Sequence, residues 1–316
     1  MKTPFEKEHR ERLAVIAEIY ETENREKASF YTPDEIRALD GHRQPVGFNS
    51  LDKEQWYEAT DAEQGAVDRY ILGRPGCQVL DAGCGWGTYS FLFGFMGARV
   101  RGIDVDTDRL AFARKRLEVL RRIAGSYNLP LDVSFEKADI FATMKSQAYD
   151  VIWVREAISH IHPIEGFFDA VSENISPDGI MAISDQNWQH PKTKIDLIRE
   201  FRDKWRPFSR WGEATIWYVF TYTDPETGAE CEMSMERVFS PWKLKRVVRQ
   251  SNLRIVESKT IGFLPKGYIA GLFPGDAKLT AYKRLMQVDN VIGKIPIIRD
   301  FGTKNILIAG RGRAHS

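Results

Sequence analysis

The sequence predicts an α/β fold, a mostly parallel sheet covered by helices on both faces. Three observations predict it. Short apolar runs alternate with helix-like stretches, the runs end in acids or turn residues, and the first run leads into three alternate glycines. Short apolar runs read as buried parallel strands, and the crossovers between them place helices on both faces.

About 75 residues precede the first strand and hold two expected helices, Pro4 to Thr22 and Ala62 to Leu72. Between them Phe48 to Leu51 leads to the aromatic pair Trp56 and Tyr57. The first strand is Cys77 to Leu80, followed by Asp81, Ala82, Gly83, Cys84, Gly85, Trp86 and Gly87. Glycines let the backbone turn tightly and approach a ligand, and the next helix, at about 87 to 97, turns its N-terminal amides toward the loop. The second strand, Ala98 to Asp104, ends in an acid 21 residues after Gly83, with Val105 beside it. In doubly wound folds an acid near this distance accepts ribose hydroxyls. Asp106 and Asp108 read as caps of a helix over 107–123. That helix carries Arg109, Arg114, Lys115, Arg116, Arg121 and Arg122, opposite Leu110, Ala113, Leu117 and Leu120, and reads as having a solvated basic outer face.

A third strand within Leu131 to Ala138 ends at Asp139 and Ile140. The fourth, Tyr149 to Val154, runs into Arg155, Glu156, Ala157, Ile158, Ser159 and His160. A helix over 164–175, a turn at Pro177 to Gly179 and a fifth strand, Gly179 to Ser184, follow. From Asp185 to Ser240 the chain is longer than a connection requires, and loops above about 12–15 residues are usually functional or disordered. Composition argues for order here, because Trp188, Trp205, Trp211 and Trp217 lie in this stretch and Trp242 at its end, five of eight tryptophans. A helix from Lys194 to Trp205 and a hairpin of Thr215 to Tyr222 with Ala229 to Phe239, across Asp224 to Gly228, describe it. The chain closes with a helix, Pro241 to Gln250, and strands Leu253 to Ile261 and Asn305 to Ala309, joined in part by the apolar stretch Phe263 to Pro274.

The glycine spacing decides what the loop holds. A dinucleotide fingerprint, Gly-x-Gly-x-x-Gly, would need a glycine or alanine where Thr88 stands. The observed Asp-x-Gly-x-Gly-x-Gly instead resembles the first motif of the class I S-adenosylmethionine-dependent methyltransferases. That resemblance implies a Rossmann-like sheet of about seven strands with its last pair antiparallel, an N-terminal helical extension over residues 1–60, a cofactor-binding core over 61–185, an α+β acceptor lid over 186–240 and completion of the sheet over 241–316. It implies S-adenosylmethionine as cofactor and S-adenosylhomocysteine as product. Asp81, Gly83, Cys84, Gly85 and Gly87 form the loop, Asp104 takes the ribose and Val105 the adenine. Asp139 receives the adenine amino group with Ile140 on the ring, and Arg155 lies at the strand tip that faces the methyl group. Trp56 or Tyr57 either covers the cofactor, as an N-terminal aromatic segment does in related enzymes, or packs against the sheet edge.

Methyl transfer to a hydroxyl usually needs a base, whereas an amine needs only to be neutral. His160 is the candidate base, since Arg155 to His160 resembles the Arg-Asp-x-x-x-His stretch of phosphoethanolamine methyltransferases; the alternative is a histidine that holds the loop. His162 and His190, with Asp185, are weaker candidates. No metal site is expected, because two histidines at i, i+2 on a loop carry little specificity. Glu156 and Glu165 have a spacing similar to the paired glutamates of protein arginine methyltransferases, but the accompanying Thr-His-Trp element is absent, and so is the Asn/Asp-Pro-Pro-Tyr motif of enzymes that methylate exocyclic base nitrogens. The acceptor expected is small, lipid-like or glycan-linked, methylated at oxygen rather than nitrogen. A catalytically silent cofactor-binding or partner-binding protein and a nicotinamide oxidoreductase are the alternatives.

The 316 residues carry a net charge of +1, which gives no bias toward nucleic acid or an anionic membrane. Three cysteines, Cys77, Cys84 and Cys231, are too scattered for a disulfide framework or zinc cluster and point to a reducing compartment. No apolar run nears the ~18 residues of a membrane span, and Lys2 to Arg12 lacks the apolar core of a signal peptide. The expectation is a cytoplasmic protein; oligomeric state is not legible.

Overall fold

A computed structural model describes residues 4–41, 50–191, 193–195, 208–210, 213–216, 220–223, 230–233, 236–296 and 298–312. Its element order is α1 (Pro4–Phe30), α2 (Pro33–Gly41), α3 (Ser50–Leu72), β1 (Gln78–Ala82), α4 (Thr88–Phe95), β2 (Arg99–Asp104), α5 (Thr107–Gly125), β3 (Val133–Lys137), α6 (Ile140–Ser146), β4 (Tyr149–Arg155), a 3₁₀ turn (Ile158–His160), α7 (Ile164–Asn174) and β5 (Ile175–Gln186). There follow β6 (Phe208–Arg210), β7 (Glu213–Ile216), β8 (Phe220–Thr223), β9 (Glu230–Met233), β10 (Glu236–Phe239), α8 (Pro241–Gln250), β11 (Leu253–Ile261), α9 (Lys266–Gly271), α10 (Gly275–Ile292) and β12 (Lys304–Arg311). Seven strands form one sheet in the order β11-β12-β5-β4-β1-β2-β3. β1, β2 and β3 are parallel neighbours. β12 is antiparallel to both β5 and β11, so the last pair is antiparallel as expected.

The chain divides into two compact units. The first holds Met1–Trp153 and Lys266–Arg284. Its strands bury Val79, Leu80, Val100 and Ile103, and α4 lies on them with every residue from Ser90 to Phe95 buried. Trp153 is wholly buried, its ring centroid 5.4 Å from those of Tyr89 and Phe93. The N-terminal helices are longer than the sequence suggests. α1 continues to Phe30, and α3 begins at Ser50 rather than near Ala62. Trp56 lies on α3 with its ring at 6.3 Å from Tyr20 of α1, and Arg10 stands 3.9 Å over the ring of Tyr57. Both aromatics therefore pack on α1 rather than on the sheet edge.

The basic face of α5 is solvated as expected at Arg109, Arg114, Arg121 and Arg122, which are exposed, but not at Arg116. Arg116 is fully buried and donates from Nε and Nη2 to the two carboxylate oxygens of Glu23 at 2.7 and 2.9 Å. Arg114 and Arg121 donate to carbonyl oxygens of β3 and the residues before it, and Arg122 covers the ring of Phe30 at 4.4 Å. A buried guanidinium requires a paired, hydrogen-bonded carboxylate, and α1 supplies it.

The second unit holds Val154–Pro265 and Leu285–Ser316. Here β5 starts at Ile175, so Pro177, Asp178 and Gly179 lie within the strand instead of forming a turn before it. α8 starts after Ser240, whose hydroxyl accepts from the Lys243 amide, with Pro241 at the first helical position and Leu244, Val247 and Val248 buried. The expected hairpin is present as β8 paired antiparallel with β9, from Phe220 opposite Met233 to Thr223 opposite Glu230. β7 pairs with β10 and with β6, a strand the sequence reading lacks. Most of the helix expected over Lys194 to Trp205 lies outside the described residues. α9 and α10 occupy a stretch to which the sequence reading assigned no helix. Among the described residues no helix is long and apolar enough to cross a membrane.

Candidate cofactor and active site

The cofactor residues expected from sequence, Arg155 apart, fall in the first unit, at the carboxyl ends of β1, β2 and β3. Asp81 is the last but one residue of β1, before the buried Ala82; it is 3% exposed, and its Oδ2 accepts the Ser90 hydroxyl at 2.6 Å. The chain then turns through Gly83, Gly85 and Gly87 at φ of 76°, 51° and 75°. Those values lie in the left-handed region, which side-chain-bearing residues avoid. At Gly87 space also decides, since a Cβ there would stand 2.5 Å from Phe135. The amides of Gly83 and Cys84 both donate to the Ile103 carbonyl at 2.9 Å, which stitches the loop to β2.

Asp104 closes the arrangement. Its Oδ2 accepts the Gly85 amide at 2.7 Å and its Oδ1 the Asp106 amide at 3.0 Å. One carboxylate thus fixes the glycine loop and the entry to α5, while each oxygen keeps acceptor capacity for a ligand hydroxyl. Val105 beside it is 51% exposed, an apolar side chain presented to solvent. Asp106 caps α5 through the amides of Asp108 and Arg109. The Ala138 amide donates to the Asp104 carbonyl at 3.3 Å, bringing the end of β3 beside the end of β2. Asp139 is exposed and caps α6 through the Ala142 amide at 2.9 Å, with Ile140 half-buried after it. These residues fit S-adenosylmethionine: the glycines open a backbone cradle, two acids stand at adjacent strand ends and two apolar side chains neighbour them.

Burial, reinforced by Asp81 and then Asp104, pushes the Cys84 thiol far above the usual range, so it stays protonated and its backbone rather than its sulfur serves the loop. Sequence reading gave Ser90 no role, though it fixes the Asp81 carboxylate. Its signal was a hydroxyl at a buried position one turn into an otherwise apolar helix.

Arg155 and His160 lie in the second unit. Glu156 adopts φ +49°, donates its amide to the Ser184 carbonyl at 2.9 Å and pairs its carboxylate with Arg155 Nη1 at 3.1 Å and Lys304 Nζ at 2.9 Å. His160 ends the 3₁₀ turn; Ile158 and Ser159 are buried and hold the turn, while the imidazole side chain is exposed. Asp185 is 5% exposed, and its Oδ1 accepts the Gln186 amide at 2.6 Å. Among the described residues no group of histidine, cysteine and acidic side chains is arranged to hold a metal ion.

Residues 74–226 match a family model described as a methyltransferase domain. The chain is 26% identical over 196 residues to the ubiquinone biosynthesis O-methyltransferase of Burkholderia pseudomallei, an alignment that covers 60% of this chain and 70% of the relative. It is 31% identical over 122 residues to the protein of the same name from Photorhabdus laumondii, covering 37% of this chain and 48% of the relative. Among solved structures, magnesium protoporphyrin IX methyltransferase from Synechocystis with bound S-adenosylhomocysteine aligns at a TM-score of 0.48 and 14% identity, over 87% of this chain and 95% of that one.

Proposed function

We propose that the chain is a class I S-adenosylmethionine-dependent methyltransferase that transfers the methyl group to an oxygen of a small-molecule or lipid-like acceptor. Bound S-adenosylmethionine supplies an activated methyl group on its sulfonium. The chain's residues do the rest. The Gly83 to Gly87 backbone and Asp104 hold the donor, the second through the ribose hydroxyls, with Val105 and Ile140 on the adenine and Asp139 at its amino group. Arg155 belongs to the strand tip that bounds the donor's reacting end in this reading. The observation that carries the donor assignment is the Asp104 carboxylate joining the Gly85 amide to the start of α5.

The oxygen acceptor rests on the curated relatives, which are O-methyltransferases in name. His160 is the base in this reading, an exposed imidazole on a turn anchored by buried neighbours. Its part is to take the acceptor's hydroxyl proton while the oxygen is held in line with the methyl group, positioning that supplies roughly 7–11 kcal/mol of the barrier. The aromatic segment between Asp185 and Ser240 is the acceptor wall. No nucleic-acid acceptor is proposed.

The test is formation of S-adenosylhomocysteine in the presence of hydroxylated aromatic and lipid-like acceptors, compared with amines. Turnover is expected with hydroxyl acceptors, and turnover with amines alone would overturn the oxygen assignment. His160→Ala should lower kcat by roughly 10²–10⁴-fold, the usual contribution of a general base, at unchanged cofactor affinity. Near-normal turnover would return His160 to holding the loop.

A further inference from the structure

We propose that Trp86 is a positioning residue through which the N-terminal helices set the affinity of the glycine loop for its cofactor. Trp86 is the side chain between Gly85 and Gly87, two positions whose left-handed backbone favours glycine. It is therefore the handle by which packing can grip this part of the loop. Its indole meets Phe112 of α5 edge-on, with centroids 5.2 Å apart and planes at 72°. Phe112 in turn belongs to a buried cluster with Tyr31 and Leu39, against which Trp86, Ile36 and Val119 pack.

The cluster is held by one face of α5. Phe112, Lys115, Arg116 and Val119 follow the i, i+3, i+4, i+7 spacing of a single helical stripe, and each meets the α1–α2 segment or its cluster. Lys115 donates to both oxygens of Glu35 at 2.9 and 2.7 Å, Arg116 grips Glu23, and the Tyr31 hydroxyl donates to Glu23 at 2.8 Å. α5 also begins three residues after Asp104, at Thr107, capped by Asp106. The same clamp therefore fixes the helix that follows the ribose acid and the tryptophan inside the cofactor loop. Residues near position 39 act on ligand binding through contacts, without touching the ligand. A loop held in its binding geometry loses less conformational freedom when the ligand arrives.

The inference rests on the loop being the cofactor seat, and the experiment separates the two ideas. Affinity for S-adenosylhomocysteine is measured by calorimetry on the full chain, with a urea melt confirming that each variant is folded. Failure of the unaltered protein to bind would sink the cofactor reading itself. If it binds, Trp86→Ala should weaken binding about tenfold, Leu39→Ala about fivefold, and the double variant no more than Trp86→Ala alone, because both act through one contact chain. Trp86→Phe, which keeps an aromatic on Phe112, should recover most of the affinity. Losses that multiply in the double variant, or wild-type affinity in Leu39→Ala, would overturn the proposal. Should Trp86→Ala fail to fold, Ile36→Ala leaves the loop intact and decides alone: a several-fold loss supports the coupling, and unchanged affinity refutes it.

Discussion

The carboxyl ends of β2 and β4 each carry an acid, and the two acids are used in opposite ways. Asp104 accepts backbone amides on both oxygens, so its position is written into the chain's own path. Behind it stands α5, locked to α1 by the fully buried Arg116 and Glu23. Glu156 instead sits 43% exposed on a left-handed backbone, held by the side chains of Arg155 and Lys304. Backbone amides stay in place whatever side chains their residues carry, whereas side-chain ion pairs near the surface contribute little and are easily exchanged. The comparison teaches that the β2 end, the proposed donor seat, is preorganised by the fold, while the β4 end is adjustable by substitution.

The sharpest way to break that contrast is to attack the lock behind Asp104. Arg116→Met leaves Glu23 buried without its partner and should cost about 3–5 kcal/mol in a urea titration. Adding Glu23→Gln should recover much of it, because the uncompensated charge is then gone; a loss equal in the single and double variants would mean the pair is not the lock. Next comes Asp104→Ala, which removes the charge-assisted acceptor of two amides and, in the proposed donor site, of the ribose. Binding of S-adenosylhomocysteine should weaken by roughly 1.5–3 kcal/mol, and calorimetry showing unchanged affinity would remove Asp104 from the pocket. The smallest effect belongs to Glu156. Lys304→Ala should change stability by about 0–1 kcal/mol, and a larger loss would show that the β4 end is as rigidly built as the β2 end.

The parts legible in sequence are those whose cause is local. The β1, glycine-loop and β2 assembly follows from a short apolar run, the glycine spacing and an acid at a fixed distance, and the hairpin around β8 and β9 from turn residues between strand-forming ones. Asp106 as a cap needed only its neighbours. What sequence misread depends on distant partners. Arg116 looks like one more surface cation on a basic helix because its carboxylate lies 93 residues away. Pro177 to Gly179 carries a turn signature, yet β5 runs from Ile175 through it to Gln186. Trp86 sat inside the motif without a task, because Phe112 and Leu39 reach it only through the packing of three helices.

The sheet order also has a bearing on how the chain folds as it is made. β11 has one strand neighbour, β12, and β12 lies between β11 and β5 although it comes last of the three in sequence. Residues 253–261 thus have no edge to pair with until Lys304–Arg311 has been synthesised and has docked on β5. Synthesis at about 5–20 residues per second leaves β11 exposed for several seconds, an interval long enough for a chaperone or a stray strand edge to reach it. Within this set of strands, assembly must wait for its middle member.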